Sequence, residues 1–407
     1  KSLTNDQIMM RDVCRRFVDD VIQPFISQNW QKEWDLTPEG RLPDNILIES
    51  EAIGIRTLGV PERFGGISLE PENEVRTFAV ISEEIARGDS GLADKLVQNW
   101  KVSVLLRELA SEEHQERWFG KLIEDPNFLF AHALTEPKGA SDRWLGYNAP
   151  SAAMDTKAKK VDGGWVINGR KHYISNGYDA GLYIVYANTK PGTGMLEGTS
   201  SFILPRGAEG FKITRCNETV GCRYMNNGEL ELIDCFVPDS HLLKSESALS
   251  QAGIYFRPGK IIQAAKNLGV GQAALEKTAD FVQTYSRGGR LLIKHQIVAS
   301  RLADMATKVT AVRALVMQAA KAVDLNTPDA DALCNMAKVF ASEEILKVCQ
   351  NAMELHGGMG SMLEAGIEKL VRDASIFLHM DATVDISNFK IIKALWPENA
   401  GKYAGPE

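Results

Sequence analysis

Hydrophobic and polar positions divide this chain of 407 residues into three stretches with different periods. In residues 1–124, apolar residues recur every third or fourth position, as in DQIMMRDVCRRFVDDVIQPFI, NILIESEAIGI and NEVRTFAVISEEIARG. This period is typical of amphipathic helices. A loop at Pro61–Gly66, PERFGG, interrupts the pattern with proline and paired glycines. The first stretch is therefore predicted to be an all-helical domain.

The period changes to two in residues 125–243. Short runs rich in β-branched and aromatic residues are separated by Gly, Asn and Pro, as in GWVINGRKHYIS, LYIVYANT, SSFILP and ELELIDCFVP. Strands that follow one another at intervals of about 8–12 residues, with no helical pattern between them, indicate a β-sandwich or barrel. We therefore expect a central β domain.

The helical period returns in residues 244–407. Two long, alanine-rich amphipathic segments are LIKHQIVASRLADMATKVTAVRALVMQAAKAVDL and DADALCNMAKVFASEEILKVCQNAMELH. Long amphipathic helices in succession predict an antiparallel bundle. The predicted fold class is α+β multidomain, with a helical domain (1–124), a central β domain (125–243) and a helical bundle (244–407).

Composition narrows the possible partners. The formal net charge is −7 and no stripe of Lys and Arg is visible, which argues against nucleic acid as a ligand. No apolar run approaches the roughly 18 residues of a membrane span, so no membrane association is expected. The start, KSLTNDQIMMRDVCRRF, has no signal-peptide core and is typical of a helix that belongs to the fold.

The six cysteines show neither CxxC nor Cys/His spacing. We therefore predict no metal site, and we expect reduced thiols in an intracellular compartment. They are Cys14, Cys216, Cys222, Cys235, Cys334 and Cys349.

The candidate for chemistry is Asp381, in the segment RDASIFLHMDAT at Arg372–Thr383. A carboxylate among apolar neighbours either pairs with a cation or is desolvated. Desolvation raises its pKa from about 3.9 towards the range in which a general base works near neutrality. The alternative is a surface aspartate that caps the following helix.

Three segments carry a resemblance to a known family. They are TEPKGASD at Thr135–Asp142, GRKHYISNG at Gly169–Gly177, and HGGMGSMLEAGIEKLVRDASI followed by Asp381. In this order and at these intervals they resemble the acyl-CoA dehydrogenase patterns TEP-x-AGSD, G-x-K-x-[WY]-I-[TS]-N-G and GG-x-G…RDA…YEGT. The resemblance covers nearly all of the chain. It implies that FAD binds between the β domain and the helical domains, usually in a homotetramer.

The first two segments are where the resemblance places the flavin. It implies that Leu134 and Thr135 contact the isoalloxazine and that Tyr173, Ile174 and Ser175 cover its other edge near N5. Backbone N–H and hydroxyl groups left unpaired where a strand ends can stabilise charge on the reduced ring. The alternative for Tyr173 is an ordinary cross-strand aromatic residue.

In the rest of TEPKGASD, Gly139 belongs to the implied cofactor site. Ser141, with Asp142, is expected either to hydrogen-bond a phosphate of cofactor or substrate, or to cap a turn.

A second group of residues is implied to contact the FAD of the neighbouring subunit. The paired glycines Gly357 and Gly358 allow the backbone to approach a bulky ligand closely, although a helix C-cap would also explain Gly357. Glu354 stands where the family commonly has Gln. Thr383 follows the implied base and is also assigned to the cofactor.

A further departure from the family pattern lies where the family has the cation on the FAD pyrophosphate. The family's R-x-x-FG-x-x-[IL] is YSRGGRLLIKHQ here, so that Tyr285 and Gly288 occupy the Arg and Phe places. Arg287 is the preferred substitute because the planar guanidinium suits phosphate, and Arg290 is the alternative. Either arginine would otherwise face solvent.

Substrate contacts are implied in two places. Phe256, Arg257 and Lys260, in YFRPGKIIQAAKNLG, fall where the family binds the CoA portion. Ala382 and Ser141 complete the predicted substrate set. Some members place their base at the position of Gly259, which has no side chain to serve, so Asp381 remains the candidate.

The implied reaction removes the α-proton of an acyl-CoA thioester while a β-hydride passes to flavin N5. The Asp381 carboxylate is the implied base, and its backbone N–H, with a flavin ribityl hydroxyl, holds the thioester carbonyl. The family has Glu at this position, nine residues after the Arg that Arg372 matches. Asp is about 1.5 Å shorter in reach. Either the backbone or substrate shifts, or a more acidic proton is removed, or another base acts.

Asp94, in GDSGLADKLVQNW, lies on the helix that lines the acyl pocket in the family. It is predicted to be either a second catalytic acid or a structural partner of Lys95 or another cation. Two acids around one pocket would suit dehydrogenation or 1,4-elimination on a cyclic, unsaturated or aryl-substituted acyl-CoA.

The predicted function is therefore FAD-dependent dehydrogenation of a bulky, alicyclic or aryl-substituted acyl-CoA. An electron-transfer flavoprotein is the expected acceptor, in a bacterial cytoplasm or otherwise a mitochondrial matrix. One alternative is a nitroalkane-oxidase-like flavin oxidase. Such enzymes use Asp as base, but they carry an Arg seven residues later, where this chain has Asn388. The other alternative is a flavin-binding subunit without turnover.

Overall fold

The computed structural model describes residues 3–67, 69–139, 150–244 and 253–400. The predicted order of helices, strands and helices is confirmed, with a helical start, a curled central sheet and a helical end. The division at residues 124/125 and 243/244 stays a prediction. Within the described ranges, no helix combines the length and apolar character that crossing a membrane requires.

The described residues of the N-terminal part include six α-helices, with short π- and 3-10 helices between them. They are α1 Asn5–Phe17, α2 Gln23–Gln28, α3 Asp44–Ala52, α4 Glu74–Gly88, α5 Ser90–Leu109 and α6 Glu112–Glu124. Helix α5 is buried along nearly its whole circumference, and Trp100 at its centre stacks on Phe78 and donates to the Ile55 carbonyl at 2.6 Å. Buried polar side chains on such a helix need partners inside the protein. Helix α5 therefore brings polar groups into the interior.

The described residues of the central part form a mixed sheet of seven strands. They are β1 Phe130–Ala133, β2 Lys157–Val161, β3 Gly164–Ile174, β4 Leu182–Asn188, β5 Thr199–Pro205, β6 Phe211–Asn217 and β7 Asn227–Pro238, with the short helix α7 Met195–Gly198 before β5. The order is β1-β4-β2-β3-β7-β6, with β5 on β4, and β1 runs parallel to β4. Two register shifts interrupt the pairing of β3 with β7, the second between Lys171 and Ile174. Such irregularities re-aim side chains at a strand end.

The C-terminal part is the predicted bundle. It contains α8 Gly253–Thr284, the hairpin β8 Ser286–Arg287 and β9 Arg290–Leu291, then α9 Gln296–Asp324, α10 Ala330–Leu355, α11 Ile367–Ile376, α12 Val384–Leu395 and α13 Pro397–Ala400. Small side chains such as Ala264, Ala320 and Ala341 fill the interface of α8, α9 and α10 and let these helices approach closely. The bundle thereby supplies a rigid wall behind the turn that joins α11 to α12.

Candidate active site

A cavity of about 540 Å³ lies where the ends of β1 and β3 meet α5, the start of α8 and the turn before α12. It brings together most of the residues that the sequence assigns to flavin, base and substrate. The predicted residues that line it are Asp94, Leu134, Thr135, Gly139, Tyr173, Ile174, Ser175, Phe256, Lys260, Asp381, Ala382 and Thr383.

Asp381 lies in a turn with an unusual backbone. Asp381 has φ +50° and Ala382 has φ +83°, so two successive residues with side chains are left-handed. The Thr383 hydroxyl then accepts from the Ile386 N–H at 3.3 Å and caps α12. Strained backbone of this kind persists only where the surroundings enforce it, and it concentrates at functional sites.

The Asp381 carboxylate pairs with a cation. Its Oδ2 lies 2.9 Å from Nζ of Lys101, and its side chain is 27% exposed, towards the cavity. Burial by itself raises the pKa of Asp381, but Lys101, Lys266 and Lys260 outweigh it and hold this pKa below its usual value. Of the two alternatives for Asp381, pairing with a cation is confirmed. The expectation that desolvation raises its pKa is wrong.

The backbone N–H of Asp381 remains available. Within the described part of the chain, no acceptor for this N–H is found, whereas the N–H groups of Met380 and Val384 on either side bond to backbone carbonyls. An unpaired donor beside a carboxylate in a cavity can bind a carbonyl oxygen of a ligand.

Asp94 is buried and makes an ion pair with the fully buried Lys266. Its Oδ2 also accepts from the Ser175 hydroxyl at 3.1 Å. Lys95, the partner named in the sequence interpretation, bonds to Asp179 instead. Asp94 nevertheless lines the cavity. It therefore has both the expected ion pair and the position expected of a second acid.

Tyr173 projects from the irregular end of β3. Its φ is +57°, its side chain is 63% exposed, and the His172 ring centroid lies 3.6 Å from its own. An ordinary cross-strand aromatic residue would pack on its neighbours instead. A flat, partly polar ring on a cavity wall can stack on another flat ring.

The end of β1 is held by a buried ion pair that the sequence interpretation missed. Glu136 accepts from Nζ of Lys171 at 2.9 Å, and the same Nζ donates to the Leu134 carbonyl at 3.2 Å. Burial raises the pKa of Glu136, but Lys171 and hydrogen bonds from Thr156 lower it to about 2. The signal was available, because Glu136 lies in TEPKGASD and Lys171 lies in GRKHYISNG.

At this anchored end of β1, Thr135 has hydrogen-bond donors that the described residues do not use. Its carbonyl accepts from the His172 N–H at 2.9 Å, but no partner for its hydroxyl or its own N–H is found among the described residues. Polar groups of Thr135 and the ring of Tyr173 thus share one cavity wall, which fits a flat ring system with a polar edge. These residues fit the isoalloxazine of FAD.

An aromatic stack forms another part of the wall. His132 and Tyr255 are parallel, with ring centroids 3.8 Å apart, and His132 Nε2 lies 2.9 Å from the Tyr186 hydroxyl. Burial, with Lys101 nearby, lowers the pKa of His132 to about 3, so its ring is neutral at pH 7. Sequence patterns contain no signal for this stack.

The sequence interpretation also missed Lys101. It lies seven residues after Asp94 and three after Gln98, which is the spacing of one helix face, and all three residues line the cavity. This spacing, counted from Asp94, could have identified Lys101 as a cavity residue from the sequence.

Arg257 is separated from the other implied substrate residues. Phe256 and Lys260 line the cavity, but the Arg257 guanidinium lies outside it, 2.7 Å from the Asp331 carboxylate and 2.8 Å from the Asn326 side-chain oxygen. The Arg257 side chain is therefore not part of this cavity wall, and its contact with the CoA portion stays a prediction. Gly259 does leave space, because a Cβ there would lie 3.6 Å from Lys101 Cε.

The residues implied to meet the neighbouring subunit's FAD lie outside the cavity, on the bundle surface. Arg287 is exposed in the hairpin β8–β9, and Glu354 pairs with Arg301 at 2.6 Å. Gly357, with φ +60°, and Gly358 are exposed after α10. Stacking of Phe281 on His356, with centroids 4.2 Å apart, joins the hairpin end of α8 to this loop.

Ser141 and Asp142 lie outside the described residues.

Comparisons with known proteins cover the chain from end to end. Family models match residues 4–125 (acyl-CoA dehydrogenase, N-terminal domain), 131–235 (middle domain) and 251–393 (C-terminal domain). An acyl-CoA dehydrogenase from Bacillus subtilis is 30% identical over 97% of this chain and 98% of its own length. The chain belongs to the acyl-CoA dehydrogenase family.

Two further members of the family are informative. A cyclohex-1-ene-1-carbonyl-CoA dehydrogenase from Geobacter metallireducens is 28% identical over 97% of this chain and 99% of its own. The structure of butyryl-CoA dehydrogenase from Megasphaera elsdenii superimposes with a TM-score of 0.86 at 26% identity, covering 97% and 99% of the two chains. Family membership confirms the predicted fold and the class of enzyme, an oxidoreductase acting on CH–CH groups.

Proposed function

We propose that the protein is an FAD-dependent dehydrogenase of a bulky, alicyclic or aryl-substituted acyl-CoA, with the Asp381 carboxylate as base. The observation that carries this proposal is that Asp381 shares one cavity with Tyr173 and Thr135, the residues that fit the flavin. FAD, when bound, supplies the hydride acceptor. Proton removal, carbonyl binding and exclusion of water are the tasks of the chain itself.

The left-handed turn brings the two functions of Asp381 together. Its carboxylate and its free N–H belong to one residue, so a thioester carbonyl on the N–H holds its α-carbon near the carboxylate. The N–H stabilises the charge that develops on the carbonyl oxygen as the α-proton leaves. The positive φ values of Asp381 and Ala382 support a backbone adjustment as the means by which a shorter acid serves here.

Lys101 has to be considered in the same step. An ammonium 2.9 Å from the carboxylate makes Asp381 a weaker base in the protein without ligand. Entry of the thioester excludes water and competes for the space around this pair, so the ground-state pair is expected to loosen before proton transfer.

Asp94 is proposed as the second acid of a 1,4-elimination. Its support is a carboxylate that lines the same cavity and has a hydroxyl partner in Ser175, together with the relationship to a cyclohex-1-ene-1-carbonyl-CoA dehydrogenase. Lys266 forms a buried ion pair with this carboxylate and so fixes its position at the cavity wall.

An Asp94→Asn variant tests this role. Turnover on a cyclohexene-carbonyl-CoA should fall by about a hundredfold, as for loss of a general base, while straight-chain esters are oxidised as before. Asp179→Asn is the matched control, since it removes the Lys95 ion pair on the same helix outside the cavity. Equal turnover by Asp94→Asn and the parent enzyme on the cyclic ester would reject the second acid.

The assembly and the electron acceptor are proposed as well. Arg287, Glu354, Gly357 and Gly358 lie together on the bundle surface, which suits contacts to the FAD of a neighbouring subunit in a homotetramer. An electron-transfer flavoprotein is the proposed acceptor. Mass measurement of the intact holoenzyme tests the oligomer, and acceptor-coupled turnover tests the partner.

The function is tested by anaerobic reduction of the FAD-loaded enzyme with a panel of CoA esters and nitroalkanes. Bleaching of the flavin band by thioesters, with cyclic esters faster than straight-chain ones, is the expected result. Bleaching by nitroalkanes alone would favour the oxidase alternative. If FAD binds and neither class bleaches it, the chain is a flavin-binding subunit without turnover.

A further inference from the structure

Positive charge is concentrated around the turn before α12. Lys101 from α5 pairs with the Asp381 carboxylate at 2.9 Å, and Lys260 from α8 donates to the Asp381 carbonyl at 3.2 Å. Lys338 from α10 donates to the Leu378 carbonyl at 3.3 Å. Lys390 from α12 lines the same cavity. These four residues, each on a different helix, are called the lysine cluster below.

Three carboxylates line the described cavity together with Lys101 and Lys260. Of the three, Asp94 pairs with Lys266 and Glu136 pairs with Lys171. Asp381 contacts the lysine cluster directly through Lys101 and Lys260, while Asp331 and Glu343 act on Lys390 and Lys338 from outside the cavity lining.

The lysines repel one another. Burial, followed by repulsion from Lys260, lowers the pKa of both Lys338 and Lys390 to about 7, and burial also lowers the pKa of Lys260. Buried cations at this density are unfavourable without an anion to offset them. A ligand that carries an anion into the cavity would relieve this repulsion.

We propose that the acyl group of the substrate itself carries a carboxylate, which binds to Lys101, Lys260 and Lys390 at the lysine cluster. The proposal deepens the function given above and rests on it. Burial favours a carboxylate over a phosphate of CoA, because Lys101 and Lys260 are only 3% and 4% exposed. A dianionic phosphate would lose far more hydration on entering such a site.

A bound carboxylate would also act on the base. A negative charge beside Lys101 and Lys260 cancels part of the positive potential that weakens Asp381, and so raises the proton affinity of Asp381. The correct substrate would thereby strengthen the base that acts on it, whereas a neutral acyl group would leave Asp381 paired with Lys101.

The test compares ω-carboxyacyl esters with neutral ones on the FAD-loaded enzyme. Glutaryl-, adipyl- and pimelyl-CoA are measured against pentanoyl-, hexanoyl- and heptanoyl-CoA, both for binding by calorimetry and for the rate of anaerobic flavin reduction. Free CoA and inorganic phosphate distinguish a phosphate site. The expected result is binding about tenfold or more tighter for at least one carboxylated ester than for its neutral counterpart. Equal binding of the two series would overturn the proposal.

Lys390→Met is the diagnostic variant, since methionine keeps the length of the apolar stem without the charge. It should remove most of the preference for the carboxylated ester, measured as the ratio of the affinities for the paired carboxylated and neutral esters within each variant. Lys393→Met, an exposed lysine on the same helix, is the control and should behave as the parent. If Lys390→Met weakened the binding of free CoA and of carboxylated esters equally, the proposal would be overturned in favour of a phosphate site.

Failure of this inference is separable from failure of the proposed function. If no thioester reduces the flavin, the dehydrogenase function is wrong, while calorimetry still decides whether the lysine cluster prefers carboxylated esters. If both series reduce the flavin equally well and bind equally well, only the carboxylate site is wrong. Thermal unfolding of Lys390→Met with a neutral ester bound verifies that the variant is folded.

Discussion

Two buried charge networks in this protein are built in opposite ways. Around Lys369, one ammonium is surrounded by the carboxylates of Asp373, Asp89 and Glu33 at 2.7, 2.8 and 3.4 Å. Burial alone lowers the pKa of Lys369, but these carboxylates hold it well above its usual value. In the lysine cluster, comparable burial lowers the pKa of Lys338 to about 7.

The difference shows in which network the protein's own groups compensate the buried charges. The carboxylates around Lys369 also accept backbone N–H groups, Asp373 from Cys222 at 2.7 Å and Asp89 from Leu92 at 2.8 Å. This network joins α4–α5, β6–β7 and α11 with its own charges. In the lysine cluster, Lys101 and Lys260 converge on the single residue Asp381 at the cavity, and we interpret these two cations as the part that a substrate completes.

The largest expected effect is at the base. Asp381→Asn removes the proton acceptor but keeps the shape of the turn, so flavin reduction by the best thioester should slow by about a thousandfold. Stopped-flow bleaching of the flavin under anaerobic conditions measures this rate. Thioester binding by the variant serves as the control, and reduction at the parent rate would exclude Asp381 as the base.

The comparison itself is tested by removing one lysine from each network. Lys369→Met leaves three buried carboxylates facing one another and should cost about 3–5 kcal/mol of unfolding free energy. Lys338→Met removes a poorly compensated cation and one hydrogen bond to a carbonyl, so its cost should stay within about 1 kcal/mol. Denaturant unfolding of both variants gives the two values. Similar losses would contradict the distinction between a complete and an incomplete network.

The pH dependence sharpens the same distinction. Because the pKa values of Lys338 and Lys390 are about 7, these lysines are charged below that pH and lose their protons above it. The preference for a carboxylated ester should therefore shrink as pH rises from 6 to 8.5 by roughly tenfold, since each lysine that loses its charge weakens the anion site. Calorimetric binding of the paired esters at each pH measures it, and a constant preference would argue against the lysine cluster as the anion site.

Other groups act on these two lysines and belong to the same titration. They are Lys260 from α8, Asp381 from the turn, Asp331, Cys334 and Glu343 from α10, and Lys393 from α12.

The smallest expected effect concerns the strained turn. Ala382 has φ +83°, where glycine is free of the strain that a Cβ causes. Ala382→Gly should therefore be stabilising by up to about 1 kcal/mol, reduced by the extra entropy of glycine in the unfolded chain. Thermal unfolding measures the change, and a clear loss of stability would mean that the Ala382 methyl makes a contact that outweighs the strain.

The candidate flavin contacts and the candidate base come from short segments of sequence. Tyr173, Thr135 and Asp381 were assigned from motifs, and the structure brings all three to one cavity. The motifs succeed because each specifies a local backbone feature, such as a strand end or a left-handed turn, which neighbouring residues determine.

Partners of charged residues could not be predicted in the same way. Asp94 was expected to be a second acid or to pair with Lys95 or another cation. Successive residues on a helix point in different directions, and the cation that Asp94 meets is Lys266 on another helix. Arg257, assigned to substrate, is held by Asp331 of α10. Which cation meets which carboxylate depends on how helices pack, and no periodicity along one segment encodes that.

The sequence by itself determined the order of helical and sheet regions and the family, and it pointed to Asp381 as the candidate base, because apolar period and short motifs are local properties. Only the tertiary structure decided that Asp381 is paired rather than isolated, and that lysines from four helices gather around it. The reason is physical. A pKa depends on charges within a few ångströms in space, and here those charges come from residues separated by up to 289 positions in the chain, from Lys101 to Lys390.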